Sequence, residues 1–148
     1  MTSTPPRLLV PFAAHARIEP IAVGRARIPD AHELTNHIGS VHAGALFTLA
    51  ESASGSAMAG AFSAELSGGV RPLVRRSEIR FLRVARGEIT ASARIQEPKA
   101  EISERLAQNG RTDFEVVVTL TDPGGEVVAE MDVTWNLARP REPALPAD

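Results

Sequence analysis

A lone carboxylate in an almost polar-free run is the first residue whose presence asks for chemistry. In NHIGSVHAGALFTLAESASG, residues 36–55, Glu51 stands among alanines, glycines and leucines. Positions spaced by three, four and seven share a helix face, so on a helix Glu51 lies with Gly44, Phe47, Gly55, Met58 and Phe62. The other side, through Leu46, Leu49, Ala50, Ala53 and Ala57, is apolar as well, and neither side is a solvated face. An unpaired carboxylate buried in such surroundings costs several kcal/mol or holds its proton to higher pH. Two accounts fit. Glu51 lies at an edge, solvated or capped by an arginine, or it lies in a crevice as a general base or nucleophile.

The residues before it add a second chemical element. The first-turn amides of such a helix, from Ala43, Gly44 and Ala45, have no intrahelical acceptor and point at any anion or carbonyl oxygen that approaches. Gly44 leaves room for that approach, and an oxyanion developing there would meet preorganised donors. Two helical turns, roughly 10 Å along the axis, separate this end from Glu51, a spacing that suits a site completed by a second subunit. Asn36 and His42 flank the helix start. Asn36 could equally hold a turn through its own backbone, and His42 could equally be structural. His32 and His37 read as loop or surface residues, and Ser52 and Ser54 beside a glutamate lack the spacing of a nucleophile triad.

The elements that must carry these residues follow from pattern. Residues 30–40 are polar, without a period, and end in Gly39-Ser40, so they read as a loop with Ser40 as helix cap. From about Val41 to Ala64 there is no proline, and the stretch is too long for a strand, which predicts one long helix. Its many alanines, glycines and serines require close packing, since each glycine costs up to about 1 kcal/mol relative to alanine. Residues 18–28 suggest a first strand. After Ser67-Gly68-Gly69, strands are expected over 70–84, 88–95 and 113–120, and a last strand through Leu137 follows a turn at Asp122-Pro123-Gly124-Gly125. Residues 99–110 read as a short helix stopped by Gly110. One long helix with antiparallel strands is an α+β arrangement in which a strongly curved sheet wraps a small-residue helix.

Composition bounds the rest. The 148 residues allow one domain, expected over 13–138, between a flexible tail at 1–12 and a Pro-rich tail at 139–148. Sixteen basic and eighteen acidic residues leave a formal charge of -2, which provides no overall field for nucleic acid. There is no cysteine, and the four histidines show no zinc spacing, so no metal site is expected. The first apolar run is broken at Pro11, too early for a membrane span or signal segment, and the expectation is a soluble, cytoplasmic protein.

The combination N36-x5-H42-A43-G44-x6-E51, followed by strand-rich sequence, resembles the hotdog-fold thioesterases, particularly the phenylacetyl-CoA type group and its relatives of unassigned function. The family pattern is Asn, five residues, His-Gly-Gly, six residues, then Asp or Glu on the central helix. It fits without a gap, and the resemblance runs from about Ala14 to Leu137, including I79-R-F81 and D132-V-T-W135. It implies a hotdog fold and hydrolysis of acyl-CoA or related thioesters to carboxylate and free thiol. Glu51 would be general base or nucleophile, Asn36 would position water or substrate, His42 would shape the helix start, and an amide near Gly44 would polarise the carbonyl. The implied assembly is a homodimer or dimer of dimers, with acyl-CoA along the subunit boundary. Arginines among Arg71, Arg75, Arg76, Arg80, Arg83 and Arg86, foremost Arg75, Arg76 and Arg83, would meet its phosphates. No cofactor is implied beyond the CoA of the substrate.

Three departures qualify the pattern. Ala43 stands in place of the first glycine and narrows the helix start, and Glu51 replaces the commoner aspartate. Val74 occupies the strand position where some relatives hold water with a hydroxyl, with Ser77 three residues on. The alternative function is a non-catalytic acyl-CoA binding or sensing protein. A hydratase reading is disfavoured, because His42 and Glu51 fall on poorly matched helix faces. Phe47, Met58 and Phe62 either line an apolar acyl pocket or belong to the core.

Overall fold

The computed structural model describes residues 10–141 of the chain. A short helix α1 (Pro11–His15) leads into a hairpin, β1 (Glu19–Ala22) and β2 (Arg25–Ile28), and a single 3-10 turn (His32–Leu34) precedes the long helix α2 (Ala43–Ala61). A short helix α3 (Ser63–Ser67), strands β3 (Arg71–Phe81) and β4 (Ile89–Ile95), helix α4 (Lys99–Asn109) and strands β5 (Arg111–Thr121) and β6 (Val127–Ala138) complete the order. The expected N-terminal tail lies outside the described residues up to position 9, as does the C-terminal tail beyond 141. Among the described residues no helix is long and apolar enough to cross a membrane.

All six strands form one antiparallel sheet in the order β1-β2-β4-β5-β6-β3, with α2 packed against β2, β4, β5 and β6. This is the hotdog architecture. Strand alternation builds its core: Phe114, Val116, Val118 and Leu120 of β5 and Met131, Val133 and Leu137 of β6 are buried beneath Leu49, Ala50 and Ala53 of α2. Each such aliphatic or aromatic side chain contributes about 1.5–3 kcal/mol on burial. The outer face of β3 and β6 carries charge instead, with Arg80 3.1 Å from Asp132 and Arg76 3.1 Å from Glu78.

The small residues of α2 serve close approach, as their composition requires. Gly24, at φ +73°, brings the β1–β2 turn against Ala57, donates its N–H to Ser56 Oγ at 2.9 Å and accepts from Ala93 N at 2.7 Å. Gly55 sits over the ring of Trp135, where an added Cβ would lie 3.5 Å from it.

Three expectations are corrected, and the phase of β3 is set by the structure. Residues 18–28 form two strands with a turn at Val23-Gly24, because Gly24 alone accepts the left-handed backbone there. Helix α2 ends at Ala61, and Phe62, at φ -115°, breaks it before α3, its ring drawn into the core against Phe114 at 5.2 Å between centroids. The cap is His42, not Ser40. Leu73 faces outward with Asn136, while Val74, Ser77, Ile79 and Phe81 face the helix side, because a bulge between Val74 and Arg76 shifts the phase.

Candidate active site around the central helix

The helix start is built by a loop that bonds to itself. Asn36 Oδ1 accepts the N–H of Ile38 and of Ser40, both at 3.1 Å, and its Nδ2 donates to Ser40 Oγ at 2.8 Å. The backbone closes the same turn, Asn36 N to Ser40 O at 2.8 Å, and Ser40 is buried beneath it. Thr35 bridges Val41, His42 N donates to Leu34 O at 2.8 Å, and Val41 N donates to Ala85 O at 2.8 Å. Asn36 is thus the organiser of the turn that delivers His42, and one N–H of its amide has no partner among the described residues.

His42 caps α2 through its side chain, Nδ1 accepting from Gly44 N at 2.8 Å. In that bond the ring proton sits on Nε2. Ala45 N and Leu46 N both turn back to His42 O, at 3.0 and 3.1 Å. With Gly44's amide held by the imidazole, the one free amide of the turn among the described residues is that of Ala43. His42, Ala43 and Gly44 are all exposed, so this donor is open to a ligand.

Glu51 lies partly buried in the middle of α2, with no hydrogen bond or ion pair to its carboxylate among the described residues. Burial pushes its pKa above the usual carboxylate value. Its own turn is fastened to the sheet: Ser54 Oγ donates to Glu51 O at 2.7 Å and accepts from Trp135 Nε1 at 3.1 Å. Of the apolar residues on its face, Met58 and Phe62 are core, whereas Phe47 is 38% exposed.

The structure therefore gathers Asn36, His42 and Gly44 at one end of α2 and leaves Glu51 about 10 Å along the same helix. The three foremost arginines are not gathered. Arg75 pairs with Asp113 at 3.5 Å, Arg76 with Glu78 at 3.1 Å and Arg83 with Glu126 at 3.6 Å. Arg83 follows the far end of β3, on the order of 25 Å from Arg75 at strand spacing.

The sequence matches the family model described as a domain of unknown function, DUF4442, over residues 7–137. The chain belongs to that family. A search of curated proteins finds no match. Among solved structures, a Pseudomonas aeruginosa protein of unknown function, called a probable thioesterase, is 36% identical; the match covers 86% of each chain with a TM-score of 0.74. A Bacillus halodurans protein solved with CoA shares the fold at 20% identity, over 85% of this chain and 74% of the other, with a TM-score of 0.67. The E. coli PaaI protein from the phenylacetic acid degradation operon does so at 20% identity, over 88% and 84%, with a TM-score of 0.64. The structural neighbours of this family member are thioesterase-type hotdog proteins.

Two elements of the site escaped sequence reasoning. The link from Trp135 to Ser54 was signalled by a tryptophan in phase with buried residues, whose indole N–H must find a partner on the facing helix. The sequence offered the amides of Ala43, Gly44 and Ala45 alike; that His42 takes up the latter two and leaves Ala43's had no signal, since it depends on which nitrogen His42 turns toward the helix.

Proposed function

We propose that this protein hydrolyses acyl-CoA or related acyl thioesters to carboxylate and free thiol, as a cytoplasmic homodimer or dimer of dimers. The observation that carries the reading is Glu51, a partly buried carboxylate without a partner among the described residues, with its pKa raised by burial, on a helix that is otherwise apolar or small. An isolated charge of that kind is costly to keep, and a raised pKa suits a general base. The name of the Pseudomonas aeruginosa relative supports thioester chemistry, and the CoA bound to the Bacillus halodurans protein supports the leaving group.

In this mechanism the thioester carbonyl oxygen accepts from the free Ala43 amide in the Gly44 region. Glu51 takes a proton from water, and the hydroxyl adds to the carbonyl carbon. The oxyanion, held by the helix-start donor, collapses, the C–S bond breaks, and the proton on Glu51 passes to the departing thiolate. In the nucleophilic variant Glu51 itself adds to the carbonyl, thiolate leaves, and water opens the resulting mixed anhydride. Asn36 holds the turn, with one N–H left to offer to water or substrate, and His42 fixes the amides.

The separation of Glu51 from its own helix start supports a site in which the two parts come from different subunits. Strand β3 supports the same assembly: it is an edge strand, and Phe81 near its far end is 51% exposed. A long edge with exposed apolar residues favours pairing with another copy.

The test is thiol release from short, medium, long and aryl acyl-CoAs by the wild type beside Glu51→Ala, with folding of both verified. Turnover in the wild type and its loss in the folded variant is the expected result. CoA-ester binding without thiol release from any of them would replace it with the non-catalytic binding reading, which Val74 in the hydroxyl position favours.

A further inference from the structure

A cleft of about 610 Å³ opens where the ends of β3, β5 and β6 meet, and four arginines line it: Arg75, Arg111, Arg139 and Arg141. No acidic side chain is among its lining residues. Arg75 shares its charge with Asp113, but Arg111, Arg139 and Arg141 have no ion-pair partner among the described residues. In a chain of formal charge -2, such a cluster is a local arrangement and not a reflection of overall basicity.

The backbone holds two of these arginines in place. Arg111 opens β5 and pairs across the ladder with Ala138, and the N–H of Arg139 donates to Gly110 O at 2.8 Å. The C-terminal end of α4 nearby brings roughly half a negative charge, which the guanidinium groups of Arg111, Arg139 and Arg141 exceed. Like charges lining one cleft repel, and a polyanion would relieve them while accepting the forked hydrogen bonds that guanidinium groups offer to phosphate. The cleft also has an apolar end. Leu73 and Val74 both line it although they point to opposite faces of β3, so it wraps around the sheet edge. Val74 lies across from Trp135, which is bonded to the helical turn that carries Glu51.

We propose that this cleft binds the phosphorylated nucleotide end of a coenzyme A ester, with Arg111, Arg139 and Arg141 on the phosphates and Leu73 and Val74 against the start of the pantetheine arm. The assignment rests on the thioesterase reading for the identity of the ligand. It moves the phosphate contacts away from Arg76 and Arg83.

The test is calorimetric titration of the full chain with adenosine 3′,5′-bisphosphate and with CoA, comparing wild type, Arg111→Ala/Arg139→Ala and Arg111→Lys/Arg139→Lys, with thermal unfolding measured for each. The expected result is binding to wild type, an affinity loss of at least about tenfold in the alanine double variant, partial recovery in the lysine variant, and matching unfolding temperatures. On substrates, the ratio of kcat/KM for an acyl-CoA to that for the same acyl group on pantetheine should fall by a similar factor. Equal affinity in wild type and alanine variant, or no nucleotide binding to wild type, overturns the proposal, as does equally tight binding of inorganic tripolyphosphate. The titration reads the cleft without turnover. A protein that binds nucleotide here yet cleaves no thioester retains the cleft and loses the hydrolytic reading, whereas thioester turnover with unaltered binding in the variant does the reverse.

Discussion

The indole Nε1 of Trp135 donates to Ser54 Oγ at 3.1 Å across the buried seam between α2 and β6. The same hydroxyl donates to Glu51 O, so one serine joins the turn bearing the Glu51 carboxylate to the sheet. Ser54→Ala strands the indole N–H, and a buried donor left without a partner costs about 1–3 kcal/mol. Chemical denaturation of the variant should show a loss in this range, together with a fall in kcat larger than any change in KM. Unchanged stability would mean that water replaces the hydroxyl.

Glu51→Gln should lower kcat on the order of a hundred- to ten-thousand-fold, the range for loss of a general base. The wild-type kcat/KM should also fall as pH drops through a carboxylate pKa above the usual 4.3 or so, and a pH–rate profile reads it directly.

The same substitution should alter stability with a definite sign. Burial raises the folded pKa of Glu51, so the folded state binds its proton more tightly than the unfolded state, and wild-type stability declines as pH rises from the ordinary carboxylate value through the raised one. Glu51→Gln lacks that decline. The variant should unfold at a higher temperature than wild type at neutral pH, and the gap should close below the unfolded carboxylate pKa. A gap that stays constant with pH would rule out the buried charge as its cause.

His42→Ala removes the acceptor for Gly44 N and should destabilise by about 0.5–2 kcal/mol, the usual value of an N-cap. His42→Asn restores a cap acceptor and should regain most of the loss in thermal unfolding. If activity returns with it, the histidine serves to set the amides; if stability alone returns, the imidazole has a further part in the reaction.

Gly24 and Gly110 share φ +73°, but an added Cβ at Gly24 would meet Ala93 O at 3.1 Å, while at Gly110 it would meet nothing within 4 Å. Both alanine variants pay for the left-handed backbone, about 1 kcal/mol. Gly24→Ala should cost more by whatever the turn must shift, and the difference between the two denaturation curves isolates that contact.

Phe81→Arg places charge on the apolar side of the edge strand. Sedimentation should show a smaller species than wild type at equal concentration, with thioester turnover lost in parallel. Wild-type assembly in the variant would remove β3 as the interface.

The fold was legible because its signals are local. The β5–β6 hairpin follows from alternation on both sides of Asp122-Pro123-Gly124-Gly125, and α4 and its stop at Gly110 follow from composition. The small-residue helix announced its close packing. What the sequence left open depends on contacts distant in the chain or on side-chain orientation: that Asn36 turns its amide onto Ser40, that His42 displaces Ser40 as cap, that Arg75, Arg76 and Arg83 each meet a carboxylate, and that Arg111 and Arg139 become neighbours across the end of a ladder. The N-terminal hairpin was missed because four-residue strands offer too little alternation to separate two from one.

The extra residue in β3 at Arg75 changes how this chain should be aligned with others. Val74, Ser77, Ile79 and Phe81 share a face only because one residue is absorbed between Val74 and Arg76. A homologue lacking that residue would keep every side chain on its present side, and the alignment would show a one-residue gap with no structural cost. Deletion elsewhere in the strand would turn the charged row inward. Counting positions from α2 therefore misplaces every β3 residue beyond the bulge by one between such homologues, and Ser77 of this chain would be set against a residue that points to the opposite face in the other.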